Sequence, residues 1–275
     1  MTARGPNGAS ADGVAGAATG IATDPAPAGV IVDGPVAAPA IVFVHGTRLT
    51  GTMWAAQQAA LSGEFRTIAI DLPAHGARAH EPFTLEGAAD VVAAAIRYHA
   101  TGGRAVVVGL SLGGYVAMAL AAREPGPIRG LVLSGATAEP VGLRSLLYLA
   151  LAGVMDRVED ERLDQVNAWF FRTRYPPEIA DPIIAGGFWS TGGAQALRAI
   201  VGERFIPRLA AYPGPSLILN GQLDVIFRLS APAFAAAAVD ARRVRLAGAT
   251  HLANLDRPLA FSEAVRRFAR SLPAD

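Results

Sequence analysis

Three side chains far apart in this sequence could together carry out acyl-transfer chemistry: Ser111, Asp224 and His251. Ser111 lies in the stretch AVVVGLSLGGY, residues 105–115, where a run suited to a buried strand ends in Gly109-Leu110-Ser111-Leu112-Gly113. In a strand–Gly-x-Ser-x-Gly–helix turn the serine takes a strained backbone conformation that lifts its Oγ above the sheet. Gly109 and Gly113 are needed because larger side chains would collide across so sharp a turn. The helix beginning near Leu112 points its first amides at the same spot, which favours a developing anion. The competing reading is an ordinary tight turn with an idle hydroxyl. A serine nucleophile also needs a base, and the base an orienting acid.

The base must be one of five histidines. His45 ends an apolar run as His45-Gly46, and His75 lies in the turn DLPAHG. His80 and His99 fall in or beside a polar helix and are expected to face solvent. His251, in LAGATHLANLDRP, follows the last strand-like run, at the sheet edge where open α/β sheets place their ligands. The acid should sit on another strand-end loop, and Asp224, in NGQLD after the run SLIL, supplies it. Its rivals are Asp240, at the wrong edge, and Asp256, read as a cap for the final helix. Two backbone N–H groups complete the chemistry as an oxyanion hole. Leu112, directly after the nucleophile, gives one, and Thr47, in the loop after AIVFVHG, is the candidate for the other; His45-Gly46 could also be a simple turn. Arg48, one residue further, is a candidate to meet a substrate carboxylate, against the plainer role of a surface or cap-bridging charge.

The elements that must position these residues read as α/β. Apolar runs end at Val32, Val44, Ile70, Val108, Leu133, Leu219 and Leu246, continuous rather than alternating, as suits strands buried on both faces. Helical stretches lie between them over 84–100, 115–123, 231–238 and 259–271. The expected fold is a mostly parallel twisted sheet flanked by helices. From 139 to 213 strand signals stop, and helical segments are punctuated by Pro176-Pro177, Gly186-Gly187 and Gly192-Gly193. This predicts an inserted helical cap over 139–213, on a core of 29–138 and 214–275. Nine of the chain's 19 aromatic residues fall in that cap. Most should form its own small core, while Trp169, Phe188 and Trp189 stand as candidates to face substrate.

Composition removes whole classes of chemistry. There is no cysteine, so disulfides, thiolate catalysis and Cys-based metal sites are excluded. All 24 basic residues are arginine, which removes Schiff-base and lysine-base chemistry. A net charge of +1 without a basic run argues against nucleic acid. No apolar segment reaches the roughly 20 residues of a membrane span. Residues 1–28, rich in Ala, Gly and Pro, read as a flexible segment without signal-peptide character, and a cytoplasmic location is expected. No cofactor and no metal are expected, and nothing in the sequence sets the oligomeric state.

In order and spacing, HGTRLTGTMW, RTIAIDLPAHGAR, VVVGLSLGGYVA, LNGQLD and GATHLANLDRP resemble the α/β-hydrolase fold superfamily over about residues 40–135 and 214–270. The resemblance implies Ser111 as nucleophile, Asp224 as acid, His251 as base, and Thr47 and Leu112 as oxyanion-hole amides, with Trp54 structural. The tail HLANLDRP is similar to that of carboxylesterases and enol-lactonase-type lactonases. Two features depart from the pattern: DVIFRL replaces that group's acid–x–x–Thr–Pro, and Ala74 stands where the superfamily usually has glycine. A serine at 111 argues against the relatives that use an aspartate nucleophile. The expected activity is metal-independent serine hydrolysis of an ester, lactone or thioester with an apolar or amphipathic portion. The alternatives are a non-hydrolytic enzyme on the same constellation (cofactor-free oxygenase, perhydrolase, lyase or cyclase) and a ligand-binding receptor.

Overall fold

In the computed structural model, which describes residues 27–157 and 160–273, strands β2 (Ala40–Val44), β4 (Ala105–Leu110) and β5 (Ile128–Ser134) form the centre of a seven-stranded sheet. The first 26 residues of the segment expected to be flexible lie outside the described residues. Strand order is β1-β3-β2-β4-β5-β6-β7, with β1 (Val30–Asp33), β3 (Arg66–Ile70), β6 (Pro215–Gly221) and β7 (Asp240–Leu246). β1 pairs antiparallel with β3, and every other pairing is parallel.

Burial on both faces explains the unbroken apolar runs. Along β2, Val42 and Val44 pack into one core layer, and Ile41 and Phe43 into the other. The first layer is completed by α2 (Leu85–His99), α3 (Leu112–Arg123) and α9 (Val225–Ala237). The second is completed by α1 (Ala55–Leu61) and the closing helix α11 (Pro258–Arg270), with the short α10 (Ala253–Asp256) before it. Thr84 Oγ1 caps α2 by accepting the N–H of Gly87 at 3.0 Å.

Register sets up the site. Val44 lies beside Ile70 and Gly109, Leu110 beside Ser134, and Ser134 beside Leu219. The carboxyl ends of five adjacent strands are therefore level, and the loops after them share one edge.

Between β5 and β6 the described residues hold only helices: α4 (Leu143–Met155), α5 (Asp160–Arg174), α6 (Pro177–Gly186), α7 (Ser190–Ile200) and α8 (Phe205–Ala210). α8 packs on α3 and α9, so the chain returns to a core layer before Pro213. Several elements differ from the sequence expectation. β7 starts at Asp240 rather than Val244, because its first residues, Asp-Ala-Arg-Arg, form a solvent-facing edge that tolerates charge. α9 starts at Val225, six residues early, and carries Pro232 inside it. α1 has no counterpart among the expected helices.

Candidate active site

Ser111 follows β4 with φ 52 and ψ −114, a sparsely populated conformation that costs an L-residue on the order of 1–3 kcal/mol. Its N–H donates to the Ser134 carbonyl at 2.8 Å, and its own carbonyl accepts the Gly114 N–H at 2.9 Å. Space around the turn is exhausted. A Cβ on Gly109 would lie 2.4 Å from the Gly113 carbonyl carbon, and one on Gly113 2.2 Å from the Val44 oxygen. Gly114, which the sequence did not single out, is equally confined, 2.3 Å from the Ala136 Cβ.

Asp224 and His251 meet. Asp224 Oδ2 is 2.9 Å from His251 Nδ1, with Asp224 buried and His251 partly exposed. A carboxylate there accepts a hydrogen bond from Nδ1–H, which holds the ring proton on Nδ1 and leaves the Nε2 lone pair free. The ring of Phe227 stacks on the imidazole at 4.8 Å. Behind the pair sits Gly135 at φ +55, where a Cβ would be 2.7 Å from His251 Cε1 and 3.3 Å from Asp224 Oδ2. A buried chain of hydrogen bonds braces these loops. The Gly135 N–H donates to Asn220 Oδ1 at 3.0 Å, Asn220 Nδ2 to Thr137 Oγ1 at 3.1 Å, and Thr137 Oγ1 to the Phe227 carbonyl at 2.7 Å. Gly135, Asn220 and Phe227 were not among the residues singled out in the sequence. The available signals were a glycine directly after a buried strand and an asparagine at the end of the strand that leads to Asp224.

Ser111 and His251 border one cavity of about 380 Å³, together with Thr47 and Arg48. No hydrogen bond joins Ser111 Oγ to His251 in the structure; such contacts tighten in substrate complexes. The backbone N–H groups of Thr47 and Leu112 donate to no described protein group. The loop carrying Thr47 passes close to the serine, since a Cβ on Gly46 would be 3.7 Å from the Ser111 Cβ.

Two histidines hold that loop. His45 Nδ1 donates to the Gly46 carbonyl at 2.8 Å, and its Nε2 accepts the Leu72 N–H at 2.9 Å. His75 Nδ1 donates to the Pro73 carbonyl at 2.9 Å, and its Nε2 accepts the Arg48 N–H at 3.3 Å. Each ring thus needs one protonated and one bare nitrogen, the neutral form. Burial pushes the His45 pKa down to about 4. Burial, with the neighbouring His45 ring, pushes His75 down to about 3. His80 is exposed as expected. His99 is instead half-buried against the Tyr98 ring, and that burial lowers its pKa.

Asp240 opens β7 at the amino edge, away from the site. Asp256 does not cap α11. Its buried carboxylate accepts from the Thr250 N–H at 2.6 Å and Thr250 Oγ1 at 2.5 Å, from Arg174 at 2.6 Å and from the Tyr175 hydroxyl at 3.0 Å. It therefore ties the residue before His251 to the end of α5. Trp54 is fully buried, stacked on Phe43. Of the aromatic candidates, Trp169 is 66% exposed, Phe188 is buried against Phe171, and Trp189 donates its ring N–H to Gly186. None of the three borders the Ser111 cavity. Its helical wall is instead mostly aliphatic, built from Leu147, Leu151 and Met155 of α4 beside Tyr148.

Comparison with known proteins agrees with this architecture. Residues 41–264 match the model of the Alpha/beta hydrolase family. A 3-oxoadipate enol-lactonase from Acinetobacter baylyi is 24% identical over 88% of this chain and 93% of its own. A pimeloyl-[acyl-carrier protein] methyl ester esterase from Neisseria meningitidis is 38% identical over 38% of this chain and 39% of its own. This chain spans between 32% and 54% of the length of four of the curated relatives it matches. Among solved structures, a thermophilic esterase from Thermogutta terrifontis superposes with a TM-score of 0.74 at 28% identity, over 88% of this chain and 92% of that one. The chain belongs to the alpha/beta hydrolase family, and these named relatives are hydrolases.

Proposed function

We propose that the protein hydrolyses a carboxylic ester, lactone or thioester through an acyl-enzyme on Ser111. His251 Nε2 takes the Ser111 proton as Oγ attacks the substrate carbonyl. Asp224 fixes the imidazole tautomer and stabilises the imidazolium. The N–H groups of Thr47 and Leu112 stabilise the tetrahedral oxyanion, each worth roughly 3–4 kcal/mol by precedent. His251 returns its proton to the leaving oxygen or sulfur. It then activates water, which attacks the acyl carbonyl and releases Ser111.

The observation that carries this reading is that His251, bonded to Asp224 at 2.9 Å, borders the same cavity as a serine held at φ 52. The names of the esterase and lactonase relatives support the ester and lactone substrates. The leucines of α4 support an apolar acyl portion, with residues 139–213 acting as a cap over the site.

The test is reaction with a small fluorophosphonate, read by intact mass and peptide mapping. One adduct on Ser111 of the wild type is expected, with none in Ser111→Ala or His251→Ala. An unlabelled wild type, folded by circular dichroism, would overturn the proposal.

A further inference from the structure

Helix α4 buries little of itself. Ala152 and Met155 are buried and Tyr148 is half-buried, and along this stripe the helix packs on α7. Most of its other large side chains face outward: Leu143 is 87% exposed, and Leu146, Leu149 and Val154 are also exposed. The first turns of α9 expose Val225 and Leu229. A 3.2 Å hydrogen bond from Arg144 of α4 to Ser230 of α9 joins the two helices into one surface. Leu147, Leu151 and Ile226 are each about half exposed and also line the Ser111 cavity, so the cavity opens through this surface. Single exposed leucines are ordinary, but a continuous apolar surface around a site entrance marks a docking face.

We propose that this face seats the protein on an anionic lipid bilayer and admits apolar acyl substrates from it. The admission step rests on the hydrolase reading above, and the docking does not. Charge argues for the occupant. From 141 to 157 the charged residues are Arg144, Asp156 and Arg157, and Asp156 is paired with Arg198. Within α9 the one charged residue is Arg228, and Asp224 just before it is turned onto His251. The face thus offers cations and no unpaired carboxylate among its described residues, which suits anionic headgroups. A second copy of the chain would set these cations against themselves and seal the cavity mouth. A bilayer leaves the mouth facing its substrate.

The experiment is flotation of the full chain with phosphatidylcholine vesicles, with and without phosphatidylglycerol. Beside the wild type run the triple variant Leu143→Asp, Leu146→Asp, Leu229→Asp and the control Leu259→Asp, a leucine of α11 that is also highly exposed. None of these four residues lines the cavity. The expected result is that wild type and control float with the phosphatidylglycerol vesicles, more weakly as salt is added. The triple variant should bind at least about tenfold less, yet keep wild-type turnover of a short water-soluble ester and its fluorophosphonate labelling. A wild type that floats but takes no label would count against the hydrolase reading alone. The docking proposal is overturned if wild type does not float, or if the triple variant floats equally. It is also overturned if light scattering shows a wild-type dimer that the triple variant abolishes while lipid binding is absent, because the face is then a self-association surface.

Discussion

Asp224 spends one carboxylate oxygen on the His251 imidazole, and that contact decides where the imidazole proton sits. In Asp224→Asn the amide NH₂ can face Nδ1, which moves the ring proton to Nε2, the atom that accepts from Ser111 in the proposed mechanism. By precedent kcat should fall roughly 10⁴-fold while binding changes little. Steady-state kinetics on any turned-over ester checks this, and activity within about tenfold of wild type would remove Asp224 from the mechanism. The residues proposed to carry the chemistry could be picked out because their types are few: one glycine-framed serine, and a loop histidine and a loop aspartate after successive late strands. Ala74 was legible as a departure and takes its meaning from the backbone. It stands at φ 62, one of three non-glycine residues with positive φ among the described residues, which is a physical reason for glycine to be usual there.

At the scale of elements, residues distant in sequence hold the site in place. Gly135 belongs to the turn after β5 yet sets the clearance behind a histidine from the loop after β7. In Gly135→Ala the new methyl must displace the imidazole. A misplacement near 1 Å costs about 10²-fold in kcat, so that loss is expected in a protein that still folds, as read by circular dichroism beside kinetics. Asp256 joins the His251 loop to α5 through four hydrogen bonds. In Asp256→Asn the amide can keep some of these but loses the charge facing Arg174. A stability loss of about 1–3 kcal/mol in urea unfolding is expected, with a lower kcat/KM as His251 loosens. Unchanged values for both would show that the link is idle. Neither role was readable beforehand, because each is created by contact between segments that local pattern does not relate. The same limit explains the elements. Strands buried on both faces announce themselves as apolar runs, whereas three of the seven residues of edge strand β7 are arginine, and Pro232 hides the earlier start of α9.

For the whole molecule, the two buried histidines predict how stability depends on pH. Unfolded, His45 and His75 titrate near the ordinary value of about 6.5. Folded, burial holds them near 4 and 3. Between these limits the unfolded chain binds protons that the folded chain refuses, so acid favours unfolding. Stability from this source is fully present above about pH 6.5 and falls as pH drops. The loss is about 1.4 kcal/mol per pH unit for each histidine, and about 2–3 for the two together. The His45 contribution levels off near pH 4, where the folded ring itself protonates, and that of His75 near pH 3. Protonation would also cost His75 the lone pair that accepts the Arg48 N–H, so the loop carrying Thr47 should loosen before the sheet does. Urea-derived unfolding free energies at about pH 7, 6 and 5 test the slope. His75→Gln, whose amide oxygen can still accept from Arg48, should remove about half of it. A wild-type profile flat over that range would mean that both rings take up protons in the folded protein as readily as in the unfolded chain. The neutral forms assigned from their hydrogen bonds would then be wrong at about pH 5 and 6.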